Sequence, residues 1–229
     1  MNILVIGNES SLGECKTKFG SAHSYQVANG HQVAEKFFGS SDVIFDFIID
    51  RHPEQMEVYR DHPKVIAFLN TPKTSLLKLV ADFPGQISCT LFGFNGLPTF
   101  LNREIVEATV WRDQDKEKLQ TICRQLQTKY LVVDDRVGMV TPRVIFMIIN
   151  EAYYTFHEGT ASREDIDLGM KLGTNYPFGP FEWSEKVGLN HVYELLSAVY
   201  EDTKDERYKI CPLLKKEYFA SKVTPPSQT

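Results

Sequence analysis

Several features that would assign this sequence to a class of protein at once are missing from it. Its four cysteines, Cys15, Cys89, Cys123 and Cys211, lie far apart, with no C-x-x-C pair and no histidine at metal-ligand spacing. This pattern indicates reduced, mostly buried thiols, and neither a zinc site nor a disulfide framework. A formal charge of -5 and no basic stripe argue against a nucleic-acid partner.

The opening stretch "MNILVIGNES" also lacks features of membrane targeting. It has no basic region of the kind that begins a signal peptide, and its apolar run is too short to span a membrane. We therefore expect a cytoplasmic protein with no membrane contact and no metal.

Up to about residue 133, short strand-like runs alternate with short amphipathic stretches. The runs are rich in branched side chains and read, in order, "ILVIG", "SYQVA", "VIFDFIID", "VIAFLN", "ISCTLF", "EIVEATV" and "YLVVDD". Strands of this length separated by helix-length segments predict βαβ units and a mainly parallel sheet. Such sheets bind ligands at the carboxyl ends of their strands.

The pattern changes to a helical one from about Thr141. "RVIFMIINEAYYTF" is apolar nearly all round, which predicts a buried helix, with Thr141 as its cap and Pro142 at its first position. Ser162 is predicted to cap a second helix that ends at Gly173. Two further helices are predicted near residues 190 to 200 and 212 to 220, and the tail "TPPSQT" is expected to fray.

The turn after the first strand is an incomplete dinucleotide-binding motif. G-x-G-x-x-G lets the backbone approach a pyrophosphate at a helix N-terminus, but "ILVIGNESSLGE" offers only Gly7 and Gly13. Glu9 stands near the place of the middle glycine, where its charge and bulk oppose a bound pyrophosphate. The acid expected at the end of the second strand is replaced by Asn29. An equally open interpretation of these residues is a nucleotide-type fold in which this loop only connects the strand to the helix and binds no cofactor.

Residues 150 to 190 carry a long and specific pattern: N-E-A, then E-G-x-A-S-x-E-D-I-D, then M-K-x-G-x-N-Y-P-x-G-P-F-E, and then G-L. This pattern closely resembles the helical C-terminal domain of the 3-hydroxyacyl-CoA dehydrogenases of fatty acid metabolism. The resemblance extends backwards through "DVIFDFIIDRHPEQMEVYRD", "VIAFLNTPKTSLLKL" and "LFGFNGLPTFLNREIVEAT". The chain is shorter than the family because much of the helical insertion before "DVIFDF" is missing.

The resemblance predicts an α/β protein in two domains. The first is a truncated, Rossmann-like and mainly parallel sheet domain over residues 1–136, which is a degenerate dinucleotide-binding domain. The second is an all-α C-terminal domain over residues 137–229, with the boundary in "VDDRVGMVTPR".

The resemblance also implies a chemistry. Members of this family oxidise 3-hydroxyacyl-CoA with NAD, using a histidine base that a glutamate holds, with serine and asparagine side chains near the substrate oxygen. Hydride can leave the carbon only as the hydroxyl proton is removed, which needs a base that titrates near neutrality. NAD and an acyl-CoA are thus the implied ligands.

Carried over residue by residue, the implied base is absent. Phe92 stands at the histidine position in "LFGFN", although Asn95 and Pro98 keep their places. The family's glutamate corresponds to Glu107, which has no imidazole to orient. His52, beside Glu54, is the best-placed substitute base, with a solvated loop histidine as the alternative.

Two further positions of the implied catalytic site are also changed. The family's asparagine falls on Pro142, which has no side-chain donor. Its serine falls on Pro72, or on Thr74 or Ser75 if an insertion lies one turn earlier.

At the implied cofactor site, Arg51 stands where the family has a small residue that faces the dinucleotide. The residues implied to contact NAD are Gly7, Asn8, Gly13, Asn29, Glu54 and Asn70.

The family also implies a homodimer through the helical domain. This domain has more aromatic residues than the hydrophobic core of a domain of its size needs. Aromatic residues at such density are common in subunit contacts. A single internal core is the alternative.

Three hypotheses on function follow from the resemblance. The favoured one is a dehydrogenase-like protein without hydride transfer, a pseudoenzyme that binds an acyl-CoA or a dinucleotide weakly or assembles with an active enzyme. The second is an active NAD-dependent 3-hydroxyacyl-CoA dehydrogenase with rearranged catalytic groups. The third is a protein that binds a different ligand in the same cleft, for example another carboxylate that Arg51 or Lys73 contacts.

Overall fold

The computed structural model describes residues 1–223, which form two compact units. The first unit is Met1–Met139, and the second begins at Val140. The tail "TPPSQT", for which we expected fraying, lies outside the described residues.

The first unit contains one seven-stranded sheet. Its strands are β1 (Asn2–Ile6), β2 (Ser24–Ala28), β3 (Val43–Asp46), β4 (Ile66–Asn70), β5 (Thr90–Phe94), β6 (Ile105–Val110) and β7 (Lys129–Val132). Their order is β2-β1-β3-β4-β5-β6-β7. All neighbouring pairs are parallel except β5 and β6. The predicted α/β fold with a mainly parallel sheet is therefore confirmed.

Both faces of the sheet are buried along its central strands β1, β3, β4 and β5, as is typical of parallel sheets. Along β1 the side chains alternate between the two faces, with Ile3 and Val5 in one apolar cluster and Leu4 and Ile6 in the other. Phenylalanines from three neighbouring strands dominate the first cluster. Helices α1 (Glu9–Phe19), α2 (His31–Glu35), α3 (Leu76–Asp82) and α4 (Lys116–Gln125) complete the unit.

Helices are the only regular secondary structure in the described residues of the second unit. Its helices are α5 (Thr141–His157), α6 (Arg163–Thr174), α7 (Pro180–Val187), α8 (Leu189–Thr203) and α9 (Pro212–Val223). Within residues 1–223, no helix is long and apolar enough to cross a membrane.

Two predicted helix ends in this unit were wrong. The N-cap of α5 is Val140, without a side-chain cap, and Thr141 already belongs to the helix. Helix α6 continues through Gly173 to Thr174 and ends at Asn175, which adopts the left-handed conformation. An asparagine tolerates that conformation because its short side chain bonds locally. The Ser162 cap is confirmed, since its side chain accepts from the Asp165 amide.

Gly93 allows a close approach in the middle of the sheet. A Cβ atom there would lie 2.3 Å from Thr109 Oγ1 and 2.4 Å from Thr71 Oγ1, and both hydroxyls are buried. We expect Gly93→Ala to lower the free energy of unfolding by about 1–3 kcal/mol, measured by chemical denaturation.

Gly13→Ala is the matched control, because Gly13 lies in α1 with no atom within 4 Å of the added Cβ. Alanine should raise stability there by roughly 0.5–1 kcal/mol. Equal effects of the two substitutions would contradict this account of Gly93.

Candidate functional site

The candidate site lies at the carboxyl ends of β1 to β5, which share one edge of the sheet. β1 is followed in the chain by β2 on one side of it in the sheet, whereas β3 is followed by β4 on the other side. A crevice is therefore expected between the carboxyl ends of β1 and β3, which is where open parallel sheets bind ligands. The residues that follow β1, β3, β4 and β5 therefore decide what this edge can bind.

The turn after β1 is short and internally capped. Asn8 is the N-cap of α1, and its Oδ1 accepts a hydrogen bond from the Ser11 amide at 3.0 Å. Gly7 is a close-approach glycine, since a Cβ there would lie 2.8 Å from Ser11 Oγ. The side-chain oxygen of Asn8 thus accepts from one of the first amides of α1, where a pyrophosphate would otherwise bind.

Glu9 and Leu12 stand at the second and third glycine positions of G-x-G-x-x-G when the motif is counted from Gly7. Glu9 is exposed in the first turn of α1, whereas Leu12 is buried in the core. Gly13, which we had assigned to the cofactor, is exposed on α1 with open space beside it. Its position therefore gives it no part in the tight turn.

Phe47, directly after β3, fills the crevice at the level of Gly7. Its Cβ lies 3.4 Å from the position of a Gly7 Cβ, and its ring packs edge-on against Phe94 at 5.2 Å between centroids. Arg51, which stands where the family resemblance implies a small residue facing the dinucleotide, lies farther along the loop and is exposed. The bulky residue at the crevice is thus Phe47.

A buried carboxylate organises the end of β3. Asp46 Oδ1 accepts the amides of Ile48 and Ile49, both at 3.0 Å. Its Oδ2 accepts the Tyr59 hydroxyl at 2.8 Å and contacts His31 Nε2 at 2.8 Å. Asp46 is fully buried, so these four charge-assisted contacts offset its desolvation.

Asp50 forms a second buried acidic group close to Asp46. Its side chain is 1% exposed and lies 3.6 Å from the Lys73 ammonium. Burial raises the pKa of Asp50 above its ordinary value, while Lys73 and Arg51 oppose the rise. This ion pair joins the loop after β3 to the loop after β4.

Glu54 and Asn29 are exposed residues of the same edge. Glu54 lies in a 3-10 segment (Pro53–Tyr59) and pairs with His52 at 3.4 Å, where both side chains are more than half exposed. Such a surface pair contributes little stability. Asn29 follows β2 and lines a cleft of about 330 Å³ that His31, Ile48 and other residues complete.

The residues at the implied base and its glutamate are separated by the sheet itself. Phe92 is fully buried in the middle of β5, where its ring packs 5.1 Å from that of Phe68. Glu107 on β6 is 9% exposed. Burial lowers the pKa of Arg103, and Glu107 opposes this. Glu107 therefore interacts electrostatically with Arg103.

Asn70 and Asn95 hold the loops at this edge together. Asn70 donates to the Phe47 carbonyl at 3.2 Å and accepts from the Gly96 amide at 2.9 Å. Asn95 is 5% exposed and accepts from the Leu97 amide at 3.3 Å. Their side-chain oxygens are thus used within the protein.

Thr74 and Ser75 lie in the loop after β4, where the amide of Thr74 bonds to the Thr71 carbonyl. Ser75 is the N-cap of α3 and accepts from the Lys78 amide at 3.0 Å. Pro142 is buried in α5 of the second unit.

In the second unit, the stretch "TNYPFGPFEW" is a helix-capping device. Asp167 of α6 accepts the amides of Phe181 and Glu182 at the start of α7, at 2.8 and 3.0 Å. Gly179 is required because a Cβ there would lie 2.3 Å from the Asp167 side chain. Tyr176 and Phe178 pack edge-on against Trp183. The stiffness of the stretch thus positions the start of α7 at the carboxylate of Asp167.

A search of residues 1–223 for three or more His, Cys, Asp or Glu side chains that could hold one metal ion finds none.

These features define a class: a Rossmann-like α/β unit followed by a helical unit. Residues 138–227 match the family model "3-hydroxyacyl-CoA dehydrogenase, C-terminal domain". The chain is 26% identical over 182 residues to 3-hydroxybutyryl-CoA dehydrogenase of Bradyrhizobium diazoefficiens, covering 76% of this chain and 62% of that protein. It is 37% identical over 111 residues to 3-hydroxyadipyl-CoA dehydrogenase of Escherichia coli, covering 48% and 23%. The match therefore spans less than two thirds of either relative.

Solved structures agree in fold. The crystal structure of (S)-3-hydroxybutyryl-CoA dehydrogenase from Ralstonia eutropha superposes with a TM-score of 0.70 at 18% identity, covering 96% of this chain and 94% of that one. The helical unit thus matches the C-terminal domain of the 3-hydroxyacyl-CoA dehydrogenases, and most of the chain is similar in sequence to a protein of that family.

Sequence reasoning missed Asp46, Phe47 and Tyr59. A signal existed for one of them, because Asp46 interrupts the apolar run "VIFDFIID" and an isolated carboxylate within a buried strand needs donors. Its two side-chain partners, Tyr59 and His31, lie 13 and 15 positions away in the sequence. Such partners become neighbours only in the folded chain.

Glu14 supplies a pH-dependent contact between α1 and the loop after β5. Its Oε1 accepts the Thr99 amide at 2.8 Å, while its Oε2 is buried without a hydrogen-bond partner. Burial raises the pKa of Glu14 above 4.5, although the Thr99 amide opposes the rise. Between the ordinary and the raised pKa, the folded state binds more protons than the unfolded state, so stability falls as pH rises.

We expect Glu14→Gln to remove this fall. Urea denaturation between pH 4.5 and neutrality should show the wild type losing stability relative to the variant as pH rises. Glu9→Gln, an exposed change on the same helix, is the control. A constant difference between wild type and Glu14→Gln across this range would refute the assignment.

Proposed function

We propose that this chain is a 3-hydroxyacyl-CoA dehydrogenase relative that does not transfer hydride and that works in the cytoplasm as a binding or assembly protein. The observation that carries the proposal is Phe92. It stands at the position that the family resemblance gives to the base, and it is fully buried among other phenylalanines. A phenyl ring accepts no proton, and loss of a general base typically costs about 10² to 10⁴ in rate.

The cofactor side of the crevice supports the same proposal. Glu9 places a carboxylate at the first turn of α1, and Phe47, directly after β3, lies against Gly7, directly after β1. A pyrophosphate there would meet like charge and a bulky ring. Weak binding of NAD or of an acyl-CoA is therefore the ligand behaviour that we expect.

The test is an NADH-linked reduction of acetoacetyl-CoA with the folded protein, together with thermal shifts in NAD, NADH, CoA and acetoacetyl-CoA. We expect no turnover above the buffer blank, and a thermal shift with CoA esters larger than that with NAD. Phe92→His should leave activity at the blank and lower stability by about 2–5 kcal/mol, because it buries a polar ring in an apolar cluster. Turnover by the wild type would overturn the proposal.

A second candidate function is an active dehydrogenase with rearranged catalytic groups. One observation favours it, the contact between His31 and Asp46, which gives an imidazole on a carboxylate at the carboxyl edge of the sheet. In that case the wild type turns over acetoacetyl-CoA and His31→Gln abolishes turnover, as measured in the same assay.

We further propose a homodimer through the helical unit. None of the 12 residues of α6 is buried, and its Leu168 and Leu172 are 53% and 78% exposed one turn apart. Large apolar side chains that recur on one helix face are typical of subunit contacts.

We expect Leu168→Asp to shift the protein from dimer to monomer in analytical ultracentrifugation, because a charge at an apolar interface is costly to bury. Leu131→Asp is the matched control, since Leu131 is 52% exposed and lies in the first unit. A wild type that sediments as a monomer would refute the proposed dimer.

A further inference from the structure

Asp135 holds the start of α3 from a distant part of the chain. Its two oxygens accept the amides of Leu76 and Leu77, at 2.8 and 2.6 Å. The Ser75 side chain accepts the next amide, that of Lys78. The first three amides of α3 thus all have acceptors, two of which come from one side chain 58 or 59 residues away.

A second tie joins the same two segments. The Gly138 amide donates to the Pro72 carbonyl at 2.6 Å. The loop after β4 is therefore held at both ends, at Pro72 and at the first turn of α3. Between these points lies Lys73, which pairs with the buried Asp50.

The segment that makes these ties is itself a tight turn. Gly138 and Met139 both have positive φ angles, 91° and 46°. For methionine this conformation is strained and persists only where the surroundings enforce it. Val137 and Met139 are buried, so the turn is anchored on both sides of Gly138. The second unit begins directly after it, at Val140.

We propose that Asp135 couples the loop after β4 to residues 133–141, the segment that leads into the helical unit. The two segments then open together. It is a positioning residue, because it acts on the ligand-binding edge through the backbone of Leu76 and Leu77. The coupling does not depend on whether the chain transfers hydride.

Hydrogen–deuterium exchange on the full chain tests this coupling. We expect Asp135→Ala to speed exchange by about 2- to 30-fold in two separate peptides, residues 71–79 and residues 133–141. Asp135→Asn should give an intermediate effect, since its amide keeps one acceptor oxygen. Asp134→Ala removes the neighbouring exposed carboxylate and should leave both peptides unchanged.

Faster exchange in residues 71–79 alone would overturn the proposal, because Asp135 would then be an ordinary helix cap. Should Asp135→Ala fail to fold, the wild type in low urea gives the same test. The amides of Leu76, Leu77 and Gly138 should then open with one common free energy and one urea dependence. Different urea dependences for Leu76 and Gly138 would equally overturn it.

Discussion

The buried carboxylate of Asp46 is the interaction on which the ligand-binding edge depends. A charge in the core must be compensated by donors, and Asp46 draws two from the backbone after β3, one from Tyr59 and one contact from His31. These contacts fix the path of the chain away from the sheet. They consequently set the position of Phe47, the side chain at the crevice.

The rest of the edge follows the same principle, in which polar groups at strand ends are used by the protein itself. Asn70 joins the loops after β3 and β5, Asn8 caps α1, and Asp135 caps α3. In an open parallel sheet, groups in these places are available to a ligand. Here the protein uses these groups for its own hydrogen bonds.

The helical unit shows why the best-preserved motif carries architectural information. "TNYPFGPFEW" packs Trp183 and Phe181 into the core and places the start of α7 on Asp167. Gly179 and Asp167 depend on each other sterically, so both are needed for this geometry. The motif specifies how two helices meet, and this requirement holds whether or not hydride transfer takes place.

The sequence by itself determined the seven strands, the mainly parallel sheet, most of the helices and the resemblance to a family, because periodicity and local motifs act over short stretches of chain. The prediction that Phe92 stands at the position of the family's base also came from the sequence alone. Only the tertiary structure decided that Asp46, Phe47 and Asp135 organise the edge, that Glu107 faces Arg103, and that Gly13 lies away from the turn. The physical reason is that these roles depend on partners far away in sequence, and on the faces that the side chains present once the sheet has formed.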